Sequence, residues 1–513
     1  MRGVIAAGHE LTAAAAELIL REGGNAFDAI VAAHFAACAA EPVFASLGGG
    51  GFLLAKPAGA RPVVFDFFVH TPRRKRSPEA LHLKSIEIDF GTARQAFHVG
   101  FGTSATPGSV KGLFEIQRRL CTMPMRELCA PAIEYAREGV RMNALLAYIA
   151  GIVHPIYTMV PATRAIFGGS GPHGCMQAGD TIRQSALADV LEALAIEGDD
   201  LFYRGEIAHL IARECEHNGG LLTGTDLERY EVALREPLVT NYRGATVMTN
   251  PPPSSGGILI TFALKLLERT GVASRPYGSA SHLQLLADAM ALTNKARVDA
   301  LLDSGYLDGP RLLDARYLDR YRREIQGRAN AARGTTHMSV IDKAGNIASL
   351  SVSNGEGCGE IVPGTGIMLN NMLGEDDLSP HGLHGWREDQ RMTSMMAPTL
   401  VLRSSGEHMA TGSGGSNRIR TAVLQVLINL IDFGMDIEPA VRSPRVHLES
   451  NHRLSIEGGF DVEALGPLLA AFPEHEIWPA LNLFFGGAHT VATGDGGLRG
   501  AGDPRRGGVA IVV

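Results

Sequence analysis

A hydroxyl residue at the head of an alternating run is the feature of this chain best suited to chemistry. Residues 334–342 read Gly-Thr-Thr-His-Met-Ser-Val-Ile-Asp, and residues 347–353 read Ile-Ala-Ser-Leu-Ser-Val-Ser. If the bond before Thr335 is cut, Thr335 gains a free α-amine beside its own hydroxyl. An unperturbed α-amine has a pKa of about 7.7–8.0, so it can act as general base for that hydroxyl. One residue then supplies both nucleophile and base. Thr-Thr at a strand start is also ordinary strand chemistry, so the reading depends on what surrounds it.

Two β-like runs joined by Asp342-Lys343-Ala344-Gly345-Asn346, a good turn sequence, are expected to hold Thr335 at a strand start. Residues 329–334 are small and polar and read as an exposed linker ending at the cleavage point. Upstream, the Ala-rich stretch 10–40 reads as helix, broken at Gly23-Gly24, with Asn25 as a cap for the second half. Gly48–Gly51 leads into an apolar strand, and residues 62–69 form another strand-like run. The glycine run lacks the Gly-Lys-Ser/Thr and Gly-x-Gly-x-x-Gly contexts, which excludes a nucleotide loop. Residues 107–240 read as mainly helical, and Pro251–Gly257 as a rigid turn before a helix at 258–269. Further helices are expected at 279–303, 309–326, 418–433 and 462–471.

Composition narrows the function classes. The chain has 513 residues, a net charge of −7, 45% hydrophobic and 20% charged residues. Nothing here points to nucleic acid. Arg73-Arg74-Lys75-Arg76 is the one dense basic run and reads as a solvated loop that could also touch an anion. Six cysteines without a CxxC pair make no disulfide framework. Cys38 reads as core; Cys358 is either a small filler or a thiol near the site. No His/Cys/Asp cluster has metal-ligand spacing, so neither metal nor cofactor is expected and activity should survive chelation. No apolar run reaches about 18 residues, so no membrane span is expected. No secretory signal is visible at Met1–Gly8.

Along nearly its whole length the chain resembles the γ-glutamyltransferase (γ-glutamyltranspeptidase) family of N-terminal nucleophile hydrolases. The resemblance rests on Gly23-Gly24-Asn25-Ala26-Phe27-Asp28-Ala29, Glu41-Pro42, Gly48–Phe52, Pro107–Val110 and Pro251–Gly257. It continues through the Thr335 segment, Pro363–Asn371, Thr393–Thr399, Gly412–Ser416 and Asp503–Gly508, in that order. It implies a four-layer αββα fold. It also implies self-cleavage into a large subunit, 1–334, and a small subunit, 335–513, intertwined as one body. Many relatives are exported or membrane-anchored, and this chain starts where their folded core starts, which implies a cytoplasmic protein.

The same resemblance assigns roles. Thr335 is the nucleophile, first on its own chain and then on the substrate amide. Ser353 stands where the family usually carries a Thr that hydrogen-bonds the nucleophile oxygen. The loop 412–416 matches the oxyanion loop, its pair being Gly414-Gly415 or, by ungapped count, Gly415-Ser416. Asn354 and an acid after Asn370-Asn371 would hold the α-amine of a glutamyl donor. Asp377 is the best match, with Glu375 or Asp376 as its partner. Thr393-Ser394 would hydrogen-bond the donor carboxylate.

One position departs from the family. The pattern Asp-x-Arg-Glu-x-x-Pro becomes Asp66-Phe67-Phe68-Val69-His70-Thr71-Pro72. Phe68 cannot make the bidentate pair that Arg makes with a carboxylate. Either another cation (His70 or one of 73–76) compensates, or the acyl group is not glutamate. Three readings follow: a γ-glutamyltransferase or hydrolase acting on glutathione-like compounds; an amidohydrolase or acylase with the same nucleophile and another acyl group; and a catalytically silent relative that binds a small molecule.

Overall fold

The structure is a computed structural model and describes residues 1–89, 94–304, 312–322, 335–375, 378, 382–449 and 452–513. The expected linker 329–334 and the candidate Asp377 lie outside the described residues.

Two stacked sheets form the centre. The first runs in the order Val509–Val512, Gly3–Ala7, Thr336–Asp342, Ile347–Ser353, Gly50–Lys56, Val63–Phe67, Ala233–Arg235. The second runs Gly497–Ala501, Thr490–Gly494, His408–Thr411, Thr399–Arg403, Ala245–Thr249, Leu238–Tyr242. Period-2 alternation divides the side chains of the first sheet between two cores. Val4, Ala6, Phe52 and Leu54 join Val401, Met409 and Ala410 of the second sheet. Ile5, Ala7, Leu53 and Ala55 instead pack under the helices Glu10–Glu22 and Ala26–Ala40. The helices Gly256–Leu267, Ala280–Ser304 and Arg418–Ile431 contribute to the core that holds the second sheet. The layers are therefore helix, sheet, sheet, helix. The inner strands of the first sheet are buried on both faces, their small hydroxyl residues included, while the edge strands Val509–Val512 and Ala233–Arg235 are partly exposed.

Local chemistry sets the element ends. Gly23, at φ 102°, closes the first helix in the left-handed conformation. Asn25 and Asp28 form a reciprocal capping box that starts the next. Every residue of Ala26–Ala40 is buried, and its many alanines let it lie close to the sheet. The turn after Thr336–Asp342 is held by the Asp342 carboxylate, which accepts from the Ala344 and Asn346 amides at 2.9 and 3.0 Å and from Ala26 N at 2.9 Å.

Expected helices are found at Arg418–Ile431, Ala280–Ser304 and Ala315–Arg322. The one expected at 462–471 is split into a 3-10 turn, Val462–Leu465, and a short helix, Gly466–Ala471. The hairpin Lys84–Asp89 with Arg94–Val99 is an addition to the sequence reading. Among the described residues no helix is long and apolar enough to cross a membrane.

Candidate active site around Thr335

Antiparallel register places the two candidate hydroxyls together. Thr336 is paired with Val352, and Ser353 with Gly50. One step back along the same ladder, Thr335 stands across from Ser353. Both are buried, 4% and 5% exposed, and both line one cleft enclosing about 330 Å³ of empty space, part of it open to solvent. Phe68, Met372, Glu375, Leu378, Ser394, Met395, Ser416 and Ile419 complete its walls. Five of those eight are apolar, so the cleft is largely apolar, with hydroxyls and one carboxylate in its lining.

The strand below Thr335 is anchored on both faces. Thr336 Oγ1 donates to Glu41 Oε2 at 3.0 Å, and Thr12 Oγ1 donates to Glu41 Oε1 at 2.6 Å. On the other face the buried His337 ring bridges Ser351 Oγ (2.8 Å) and Ser339 Oγ (2.9 Å). Burial, reinforced by His489, holds His337 well below the usual histidine range, so it is a neutral hydrogen-bonding spacer.

The glycine loop presses against the head of this strand. A Cβ on Gly414 would fall 1.8 Å from the Thr335 carbonyl oxygen, so only glycine allows this approach. Ser413–Gly414 pairs with Gly487–Ala488, which fixes the loop. Gly415 (φ 117°) and Ser416 (φ 51°) then turn the chain into the helix Arg418–Ile431. Ser416, not Gly414 or Gly415, is on the cleft wall, while Gly414 backs the nucleophile.

The candidate substrate residues divide. Glu375 and Ser394 are at the cleft. Ser394 is held through its carbonyl, which accepts from Ser254 Oγ at 2.8 Å and Ser255 N at 2.8 Å. Thr393 is half-buried and outside the cleft lining. Asn354 is fully buried behind the wall, with neither side-chain polar atom hydrogen-bonded. Asn370 has a structural part: its Nδ2 donates to Gly48 O and Ala105 O, both at 2.9 Å. Cys358 is buried, outside the lining, and its thiol is pushed up to about 12 by burial, so it is a filler.

Phe68 lines the cleft and stacks on Phe52, ring centroids 5.4 Å apart. No lysine, arginine or histidine is among the described lining residues. Of the cations considered for compensation, Arg74 is exposed and the others are engaged elsewhere. His70 and Arg73 both meet Asp389, at 3.2 and 2.7 Å. Lys75 donates to His384 O at 2.7 Å and lies over Trp386, and Arg76 donates to Glu216 O. Arg391 contacts the Phe68 carbonyl, but its guanidinium pairs with the buried Asp66 at 3.3 Å.

Two contributors carried no role in the sequence reading. Arg506 Nη1 donates to the Thr335 carbonyl oxygen at 2.8 Å, from 171 residues away, and Glu41 supports Thr336 from 295 residues away. Both belong to quoted motifs; no local spacing signals either contact.

Comparison with known proteins gives matches over the whole body. A family model described as Gamma-glutamyltranspeptidase matches residues 12–513. The chain is 32% identical over 520 residues to the glutathione hydrolase proenzyme of Escherichia coli (strain K12), covering 95% of this chain and 87% of that one. It is 32% identical over 529 residues to the acylase ACY 1 proenzyme of Pseudomonas sp. (strain SE83), covering 100% and 94%. Among solved structures, the cephalosporin acylase from Bacillus halodurans superposes with a TM-score of 0.84 at 24% identity, over 99% of this chain and 95% of that chain, and so shares its fold.

Proposed function

Because the chain belongs to the γ-glutamyltranspeptidase family, we propose that it is a self-processing acyltransferase and amide hydrolase with Thr335 as nucleophile. In the precursor the Thr335 hydroxyl attacks the carbonyl of Gly334. The amide C–N bond breaks and frees the Thr335 amine as an ester to the Thr335 oxygen forms, and water then hydrolyses that ester to the Gly334 carboxylate and the Thr335 hydroxyl. In the mature enzyme that amine takes the hydroxyl proton as the oxygen attacks a substrate amide. The leaving amine departs protonated, and water or an amino acid takes the acyl group from the acyl-Thr335 ester. Ser353 donates to the nucleophile oxygen, and amides of Gly415-Ser416 face the developing oxyanion. The observation that carries this reading is the placement of Thr335 across from Ser353, in one cleft, under a glycine loop.

The donor class supported by family membership is γ-glutamyl amides of the glutathione type. Glu375 at the cleft suits the donor α-amine and Ser394 suits its carboxylate. A specific observation favours a second reading. With Phe68 on the wall and no cation among the described lining residues, an acyl group without an α-carboxylate fits the slot better, as in an acylase.

Intact mass after incubation at neutral pH tests the nucleophile. Two chains, 1–334 and 335–513, are expected from the wild type and one full-length chain from Thr335→Ala. Cleavage of Thr335→Ala at the same bond would remove Thr335 from the mechanism.

A further inference from the structure

We propose that Arg506 is a positioning residue for Thr335: its guanidinium fixes the Thr335 carbonyl, and its charge keeps the α-amine freed by cleavage neutral, hence basic, near pH 7. The inference rests on Thr335 being an N-terminal nucleophile.

The contact is built rather than incidental. Arg506 is 6% exposed and its Nη1 lies 2.8 Å from Thr335 O. It threads between glycines: a Cβ on Gly487 would lie 2.4 Å from Arg506 Cδ, and one on Gly414 would lie 3.1 Å from Nη1. Its guanidinium lies over the Phe44 ring, 5.0 Å from the centroid. A side chain at either glycine would close this channel.

Arg506 is also a buried cation that no carboxylate pairs with among the described residues, and its Nε has no hydrogen-bond partner. Its neighbours are treated differently. Arg505 meets Glu457 at 2.6 Å and Asp503 at 3.1 Å, and Arg445 meets Asp503 at 2.7 Å. Burying a cation without a counter-ion is costly. Burial pushes Arg506 down to about 10, which still leaves it charged at neutral pH. Such a group, aimed at a single atom of the nucleophile, has a functional rather than a stabilising geometry.

Its charge acts on the amine at short range. The Thr335 nitrogen and carbonyl oxygen are separated by two backbone bonds and a carbonyl, so the guanidinium is within about 6 Å of the amine. A like charge at that range disfavours protonation. The other groups facing this region do not cancel it. His337 and His489 are both held neutral by burial. Asp503 is neutralised by Arg445 and Arg505, and Arg418 reinforces the positive field on Arg506. Glu41 opposes it, but its two oxygens are turned to the hydroxyls of Thr12 and Thr336. Glu375 opposes it from the cleft. A net shift of about one pH unit is expected, against the ordinary 7.7–8.0. That takes an amine mostly protonated at pH 7 to one about half to two-thirds neutral.

The test is a pH profile of kcat/KM for the cleaved protein, beside Arg506→Gln and Arg506→Lys. In Arg506→Gln the acidic limb should move up by about one pH unit, with about tenfold loss at pH 6 and little at pH 9. Arg506→Lys should keep the limb within about 0.3 unit. A purely structural Arg506 would lower the rate at every pH and leave the limb in place, which overturns the charge effect. Should Arg506→Gln fail to fold or cleave, competitive acetylation of the mature wild type reads the Thr335 amine directly. A value about one unit below the ordinary range is expected, and a value at or above about 8 overturns the proposal. A wild type that never cleaves removes the Thr335 reading itself, a result distinct from either.

Discussion

Replacing Phe68 by Arg tests what the cleft is built to hold. Phe68 is 1% exposed, lines the cleft beside Ser394 and Glu375, and stacks on Phe52. A guanidinium placed there would meet the α-carboxylate of a glutamyl donor. A desolvated charge pair of this kind is worth about 2–5 kcal/mol. Part is offset by the lost aromatic stacking, about 0.5–1.5 kcal/mol, and part by the Arg391 guanidinium, which contacts the carbonyl of residue 68. A net gain of about 1.5–3 kcal/mol remains, or roughly 10- to 150-fold in kcat/KM. The assay compares a γ-glutamyl anilide with the 4-aminobutyryl anilide, which differs only by the missing α-carboxylate. In the wild type the glutamyl compound should have no advantage. In Phe68→Arg it should gain by the factor above while the 4-aminobutyryl compound does not. A folded, cleaved variant whose ratio is unchanged would refute the reasoning, because the carboxylate would then not face residue 68.

Gly414→Ala should slow self-cleavage by more than about tenfold, since its Cβ must displace the Thr335 carbonyl; Gly224→Ala, whose Cβ meets nothing within 4 Å, should cleave at the wild-type rate. Time-resolved intact mass separates them, and equal rates would contradict the close approach. Acid should destabilise the fold before carboxylates titrate. Burial lowers His34 to about 3 and His282 and His489 to about 4, against 6.5 when unfolded. The unfolded chain therefore binds protons the folded one does not. This stability is complete above pH 6.5 and is lost as pH falls from 6.5 toward 4. His337 adds to them, while Asp288, raised to about 6, and Asp432 and Glu360, raised by burial, oppose; a net slope on the order of one to two protons, or about 1.4–2.7 kcal/mol per pH unit at its steepest, is expected. Thermal melting should show Tm falling between pH 7 and pH 5, and a flat Tm would contradict the buried neutral histidines.

The sequence was most legible where a local pattern meets a buried layer. Thr336–Asp342 and Ile347–Ser353 alternate and are followed or joined by turn residues, so strand, hairpin and the place of Thr335 were all readable. The helix break at Gly23 and cap at Asn25 were readable because one residue carries each signal. The hairpin Lys84–Asp89 with Arg94–Val99 was not, because it interleaves few apolar residues with charges. Of the candidates that the family resemblance named, Glu375 and Ser394 line the cleft, whereas Thr393 and Asn354 sit off it. Which side of a loop faces a cavity is set by tertiary packing, to which spacing is blind. Arg506 and Glu41 show the same limit at long range: each touches the Thr335 strand only because the fold brings the chain ends together.

The strand Gly3–Ala7 lies between Thr336–Asp342 and Val509–Val512, and Gly50–Lys56 borders Ile347–Ser353. Strands from before and after Thr335 are therefore interleaved within one sheet. While the chain is whole, this weave assembles unimolecularly, with every strand tethered to its neighbour. Once the bond before Thr335 is cut, reassembly from the unfolded state becomes bimolecular, and the tether's effective concentration, of order millimolar for short links, is lost. The precursor should thus refold at any dilution, while the cut pair should refold only when concentrated. Cleavage would make the mature protein's persistence a matter of how slowly it unfolds rather than how favourably it folds.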